Sequence, residues 1–121
     1  MKKILVVDDE KPILNLMRRI FFGMDLELYT ADNGMDALSI MQQNSIDLII
    51  SDMRMPMMDG YQLLHRVKES YPDTLRIILS GYADEKIVLK ALVENVAKVY
   101  LFKPWKNNDL IKLINDLLNI K

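Results

Sequence analysis

Five short apolar runs punctuate this chain, and each is followed by a longer stretch whose apolar positions recur at helical spacing. Ile4 to Val7, Leu26 to Tyr29, Ile46 to Ile50, Leu75 to Leu79 and Val99 to Phe102 are rich in Ile, Val and Leu and bounded by Asp, Asn, Gly or Pro, which predicts strands. Between them Ile13, Leu14, Met17, Ile20 and Phe21 share one helical face. So do Ala37, Leu38 and Met41, then Leu63, Leu64 and Val67, then Ile87, Val88, Ala91 and Leu92. A last helix is expected over about Asp109 to Asn119, with Leu110, Ile111, Leu113, Ile114, Leu117 and Leu118 as its apolar set. A βα unit repeated in this way predicts an α/β domain around a parallel sheet. The runs at Ile4, Ile46 and Leu75 barely alternate, as expected of central strands covered by helices on both faces. Right-handed crossovers then favour an open, doubly wound sheet with five helices. The order 2-1-3-4-5 is adopted as the common five-strand solution, a general rule that these residues do not dictate by themselves.

Four of the runs stop at a polar side chain. KKILVV ends at Asp8 and Asp9, SIDLIIS at Asp52, TLRIIL at Ser80 and KVYLF at Lys103. The carboxyl ends of parallel strands share one edge, so these five residues are expected to meet in one crevice. Like charges about 4 Å apart repel by about 4 kcal/mol at an effective dielectric of about 20. A hard cation offsets that repulsion, and Mg²⁺ suits a few carboxylates, retained waters and an incoming phosphoryl oxygen. Lys103 and Ser80 supply donors to further oxygens. A carboxylate such as Asp52 can itself be the nucleophile in phosphoryl transfer, with metal and lysine stabilising the transferring charge.

Composition narrows the alternatives. At 121 residues, half of them apolar, the chain fits a single domain with a layered core, taken as 1–121. Its 16 basic and 17 acidic side chains nearly cancel and are interspersed, so no nucleic-acid surface is expected. The absence of Cys excludes disulfides and thiolate chemistry, and the single His65 excludes a multi-histidine metal cluster. No apolar run approaches the roughly 20 residues of a membrane span, and no signal-peptide pattern follows Met1. A cytoplasmic location is the expectation.

With these residues in place, the sequence resembles a response-regulator receiver domain of two-component signalling, chemotaxis-regulator-like, over essentially its whole length. The matching stretches are VVDDEK, DMRMPMMDG, LSGYA and FKPW, in this order and at these strand ends. The resemblance implies a flavodoxin-like fold and a phosphoacceptor switch rather than a turnover enzyme. It makes Asp52 the phosphoacceptor, and Asp9 and Asp52 direct Mg²⁺ ligands together with the backbone carbonyl of Arg54. Asp8 would act through metal-bound water, Ser80 and Lys103 would bind phosphoryl oxygens, and Tyr100 would be the switch aromatic. A cis Lys103-Pro104 bond is expected as well. The partners implied are a histidine kinase or phosphotransfer protein as donor and an effector protein or fused output domain downstream.

Each residue also has a plainer reading. Asp8 and Asp9 fit turn residues or the cap of a helix that Pro12 helps start, Asp52 an Asx turn, Ser80-Gly81 a loop and Lys103 a solvated side chain. Met53, Met55, Met57 and Met58 are expected to pack a loop on the core rather than bind a soft metal. His65 is expected on a wet helix face, and Trp105 over the core edge. Lys98 stands where many DNA-binding relatives of this type carry acids, which argues against their mode of dimerisation. LSGYADEK and FKPW look more like receivers attached to cyclic-dinucleotide enzymes or other non-DNA outputs. A non-phosphorylated pseudo-receiver would be favoured by a missing acid or lysine, and none is missing. A haloacid-dehalogenase-type phosphatase needs a second acid where Arg54 stands, and a flavodoxin needs a phosphate loop where the chain reads DDEKP.

Overall fold

The protein, a computed structural model, is described over residues 1–81 and 85–119. Five βα units follow one another: β1 (Lys2–Val7), α1 (Lys11–Phe21), β2 (Leu26–Ala31), α2 (Gly34–Gln43), β3 (Leu48–Ser51), α3 (Gly60–Ser70), β4 (Leu75–Ser80), α4 (Glu85–Val93), β5 (Val99–Phe102) and α5 (Asn107–Leu118). The strands form one parallel sheet in the order β2-β1-β3-β4-β5, as expected. The third strand starts at Leu48, two positions later than the expected start at Ile46. Ile46 and Asp47 instead supply carbonyls, to the Thr74 hydroxyl at 2.8 Å and the Leu75 amide at 3.0 Å.

Alternation along the central strands sorts the core into two layers. Ile4, Val6, Leu48, Ile50, Ile77 and Leu79 face α1 and α5, where Leu14, Met17, Leu110 and Ile114 meet them. Leu5, Val7, Ile49 and Ile78 face the opposite way, toward Ala37 and Met41 of α2, Leu63, Leu64 and Val67 of α3, and Ala91 of α4. Both faces being covered explains why β1, β3 and β4 read as apolar runs that barely alternate. Ser80 and Tyr100 lie on the second face, because Ile78 pairs with Tyr100 and Ser80 stands two positions further along.

Helix α4 is held differently from the others, with Ala91 its one fully buried residue and Leu89, Leu92 and Val93 exposed. Among the described residues no helix is long and apolar enough to cross a membrane.

Candidate functional site at the carboxyl edge of the sheet

Backbone hydrogen bonds carry the ladder one residue past the strand ends and so bring the polar residues together. Asp8 N donates to Ala31 O at 3.1 Å, Asp52 N to Val7 O at 2.9 Å and Lys103 N to Ser80 O at 2.9 Å. Asp8, Asp52 and Ser80 are consequently buried although they sit at an edge, while Asp9 stands exposed at the rim. The Lys103 ammonium lies 3.1 Å from Asp8 Oδ2, 3.6 Å from Asp52 Oδ1 and 3.8 Å from Glu10 Oε1. Asp9, Glu10, Asp52, Arg54, Ser80, Gly81 and Lys103 line an open crevice of about 500 Å³. Grooves of about 660 and 650 Å³ lie elsewhere, one between α1, β2 and α2, where Lys11 and Arg18 offset Asp32 and Asp36, and one at the opposite sheet edge.

The loop from Asp52 to α3 is fixed from both sides. Met53 N donates to Asp52 Oδ1 at 2.9 Å, and the Ser51 hydroxyl donates to Asp52 O at 2.8 Å. At the far end Asp59 and Gln62 form a reciprocal capping box, each side chain accepting the other's backbone N–H. Between them Gly60 N donates to Met53 O at 2.8 Å, and a Cβ at Gly60 would stand 2.2 Å from the Asp52 carbonyl oxygen. Only a glycine lets α3 approach the acidic strand end so closely.

Burial is the main reason the Asp8 carboxyl titrates above its ordinary range. The negative charge of Asp52 adds to that, against the pull of the Glu10 amide and of Lys103. Burial alone would lower Lys103, but its hydrogen bond to Asp8 and the charges of Asp8, Asp52 and Glu10 outweigh it and raise the ammonium. The lysine therefore stays charged among acids that it only partly neutralises.

Carboxylate oxygens of Asp8, Asp9, Glu10 and Asp52 lie within 4.8 Å of one another. An all-oxygen donor set of this size fits a hard divalent cation with retained waters and not a soft one. The sequence-predicted residues Asp8, Asp9, Asp52, Ser80 and Lys103 thus share one crevice, with Arg54 at its margin. Glu10 had no expected part in it; its only signal was its place directly after the acid pair. The plainer reading of Asp8 also holds in part, since its Oδ1 accepts the Glu10 amide at 2.9 Å, whereas the α1 cap is Glu10, without a side-chain cap bond.

Tyr100 lies outside the crevice and is buried, its ring 5.0 Å from that of Phe102. The Lys103-Pro104 bond is cis. Met53, Met55 and Met58 pack into the core as expected, but Met57 is 99% exposed with φ of 72°. The loop must turn there to reach the capping box, which throws that side chain outward. Trp105 packs beside the α1–α5 layer and His65 is exposed, paired to Glu69 at 2.9 Å. Tyr82 and Ala83 of the LSGYA stretch lie outside the described residues, as do Asp84, Ile120 and Lys121.

Comparison with known proteins agrees with this geometry. The family described as response regulator receiver domain matches residues 4–115, and the chain belongs to that family of two-component signalling proteins. Members are in general signalling switches with an acidic, Mg²⁺-binding pocket. Over 117 residues the chain is 32% identical to the hydrogenase transcriptional regulatory protein HoxA of Bradyrhizobium diazoefficiens, covering 97% of this chain and 24% of that protein. It spans about a quarter or less of several such relatives, which carry their receivers within longer proteins. Among solved structures, the signal receiver domain of an HD domain-containing protein from Pseudomonas fluorescens superposes with a TM-score of 0.93. The two are 34% identical, over 98% of this chain and 94% of that one. The chemotaxis protein CheY4 of Vibrio cholerae gives 0.87 at 28% identity, over 97% and 98%.

Proposed function

We propose that residues 1–121 act as one receiver domain in the cytoplasm, and that Asp52 accepts a phosphoryl group from the phosphohistidine of a histidine kinase or phosphotransfer protein. An Asp52 carboxylate oxygen attacks phosphorus, the bond from phosphorus to the imidazole nitrogen breaks, and an acyl phosphate and a free histidine remain. Asp9, Asp52 and the Arg54 carbonyl would hold Mg²⁺, with Asp8 acting through water. When bound, the cation neutralises charge and aligns oxygens. Lys103 leaves Asp8 for a phosphoryl oxygen, and the Ser80 hydroxyl donates to another. Tyr100, on the same sheet face as Ser80, carries the change toward α4 and β5, where an effector protein or fused output domain reads it.

The observation that carries this reading is the Lys103 ammonium, 3.1 Å from Asp8 and 3.6 Å from Asp52, beside a buried Ser80 in a crevice open to solvent. A plain structural salt bridge would need neither the acid excess nor the opening. Direct nucleic-acid contact by this chain is not part of the proposal, given its near-balanced charge. The test is intact mass after incubation with acetyl phosphate: one phosphoryl mass is gained with Mg²⁺, none with EDTA, and none in Asp52→Asn. Labelling of Asp52→Asn to the wild-type level would sink the assignment.

A further inference from the structure

Helix α3 begins against the acidic strand end, and the residue after Gly60 is Tyr61. Its hydroxyl donates to the carboxylate of Glu94, one residue beyond α4. The Lys90 ammonium, from α4 itself, stands 4.9 Å from the centre of the Tyr61 ring. Two turns further along α3, the Lys68 ammonium donates to the Glu94 carbonyl oxygen. Glu94 is thus gripped twice by α3, once through its side chain and once through its backbone. The adjoining turn is gripped by β4: Arg76 Nη2 donates to Asn95 O at 3.1 Å and Nε to Val96 O at 2.9 Å.

These contacts form a continuous chain. The Asp52 carbonyl bears on Gly60 with no room for a Cβ, Gly60 is covalently joined to Tyr61, and Tyr61 holds the end of α4. A shift of the 52–60 loop cannot be absorbed at Gly60 by compressing a flexible side chain, because both contacting groups are backbone. The Tyr61 phenol, pushed up to about 12 by its bond to Glu94, stays a donor throughout the physiological range. The α4 helix buries little of its own surface, so a polar grip at one end bears strongly on its placement.

We propose that Tyr61 and Glu94 form a second conduit from Asp52 to α4, running through the 52–60 loop and α3 in parallel with the route through Ser80 and Tyr100. This rests on the phosphoacceptor reading of Asp52. It differs from that reading in naming a residue pair that joins the start of α3 to the end of α4 and in predicting that α4 still responds when Tyr100 is removed.

The experiment uses the whole chain with Mg²⁺ and beryllofluoride, a stable phosphoryl mimic, followed by fluorine NMR for binding and by amide shifts of residues 90–97 for the response. Tyr61→Phe keeps the ring and its contact with Lys90 while deleting the donor. It should bind beryllofluoride within twofold of wild type and show about half the wild-type shift at 90–97. Tyr100→Ala should retain a measurable shift there, and Tyr61→Phe combined with Tyr100→Ala should lose it. Glu94→Gln, which keeps an acceptor, should preserve more of the response than Glu94→Ala. An unchanged response in Tyr61→Phe, or complete loss in Tyr100→Ala alone, would overturn the proposal. Absence of bound beryllofluoride in the wild type would instead overturn the phosphoacceptor reading on which it depends.

Discussion

Both edges of the sheet bury charge, and they treat it in opposite ways. At the amino edge Arg76, 7% exposed, is surrounded by carbonyls: Val96 O at 2.9 Å, Thr74 O at 2.9 Å, Asn95 O at 3.1 Å and Pro72 O at 3.3 Å. Burial lowers its affinity for its proton, yet its donors have fixed acceptors. Nearby, Asp47 Oδ2 accepts the Lys3 amide at 2.8 Å and Thr74 bonds to Ile46 O. At the carboxyl edge Asp8 and Asp52 are as deeply buried, but they face each other, Asp9 and Glu10, with one ammonium among them. One edge spends its polar groups on closing the fold. The other leaves charge unbalanced, as the proposed cation and phosphoryl site requires.

Arg76 is the residue on which the closed amino edge depends most. Arg76→Ala removes the donors for four carbonyls and opens a buried space, so it should cost about 3 to 4 kcal/mol in urea unfolding. Arg76→Lys restores the charge without the fork and should recover less than half of that. A loss below about 1 kcal/mol would mean that water replaces the guanidinium, and the amino edge would no longer count as closed.

Gly60→Ala comes next. A methyl 2.2 Å from the Asp52 carbonyl cannot be accommodated without moving α3 or the strand end, for a cost of about 2 to 3 kcal/mol. The same change should slow labelling by acetyl phosphate, because the displaced group is Asp52 itself. Normal labelling in a destabilised variant would show that the shift is taken up by the helix alone.

At the carboxyl edge the expected sign reverses. Asp52→Asn removes one of the crowded charges and should raise metal-free stability by about 1 kcal/mol, a few degrees in Tm. Mg²⁺ at about 100 times its Kd should stabilise the wild type by about 2.7 kcal/mol and the variant by much less. Asp8→Asn should act in the same direction, with a pH dependence that identifies the group. Its carboxyl holds a proton more tightly folded than unfolded, so its contribution falls as pH rises from about 3.8 through the raised folded value. The gain from Asp8→Asn is therefore absent in acid, grows across that window and is constant above it. A difference between variant and wild type that does not vary with pH would assign the strain elsewhere.

The legible parts of the molecule are those where one residue type answers one physical demand. The barely alternating apolar runs of β1, β3 and β4 announced strands covered on both faces, and the polar residues at their ends announced the crevice, because parallel strands share an edge. Interactions between elements left less trace. Arg76 was visible only as a cation inside an apolar run, with nothing to indicate that two of its acceptors come from the turn after α4. Glu10 reads like any acid just before a helix, and Gly60 like any turn glycine, until the distances to Lys103 and to the Asp52 carbonyl are known. Tyr61 and Glu94 are separated by 33 positions and lie on different helices, so no local pattern links them.

The two edges also differ in backbone strain, with a smaller effect on stability. Each edge needs a residue with positive φ outside glycine: Asn95 at 55° in the turn after α4, and Met57 at 72° in the loop beside the crevice. Asn reaches the left-handed region at little cost, since its short polar side chain bonds locally, whereas a long side chain there costs roughly 1 kcal/mol. The amino edge thus has the residue its backbone prefers and the carboxyl edge does not. Met57 is 99% exposed, so replacing it removes no packing. Met57→Asn should then raise stability by about 0.5 to 1 kcal/mol, with labelling by acetyl phosphate unchanged. The reciprocal Asn95→Met should lower stability by a similar amount. If Met57→Asn gives no gain while Asn95→Met gives the loss, the loop at the crevice relaxes its strain in solution, and the imbalance of the carboxyl edge is one of charge and not of backbone.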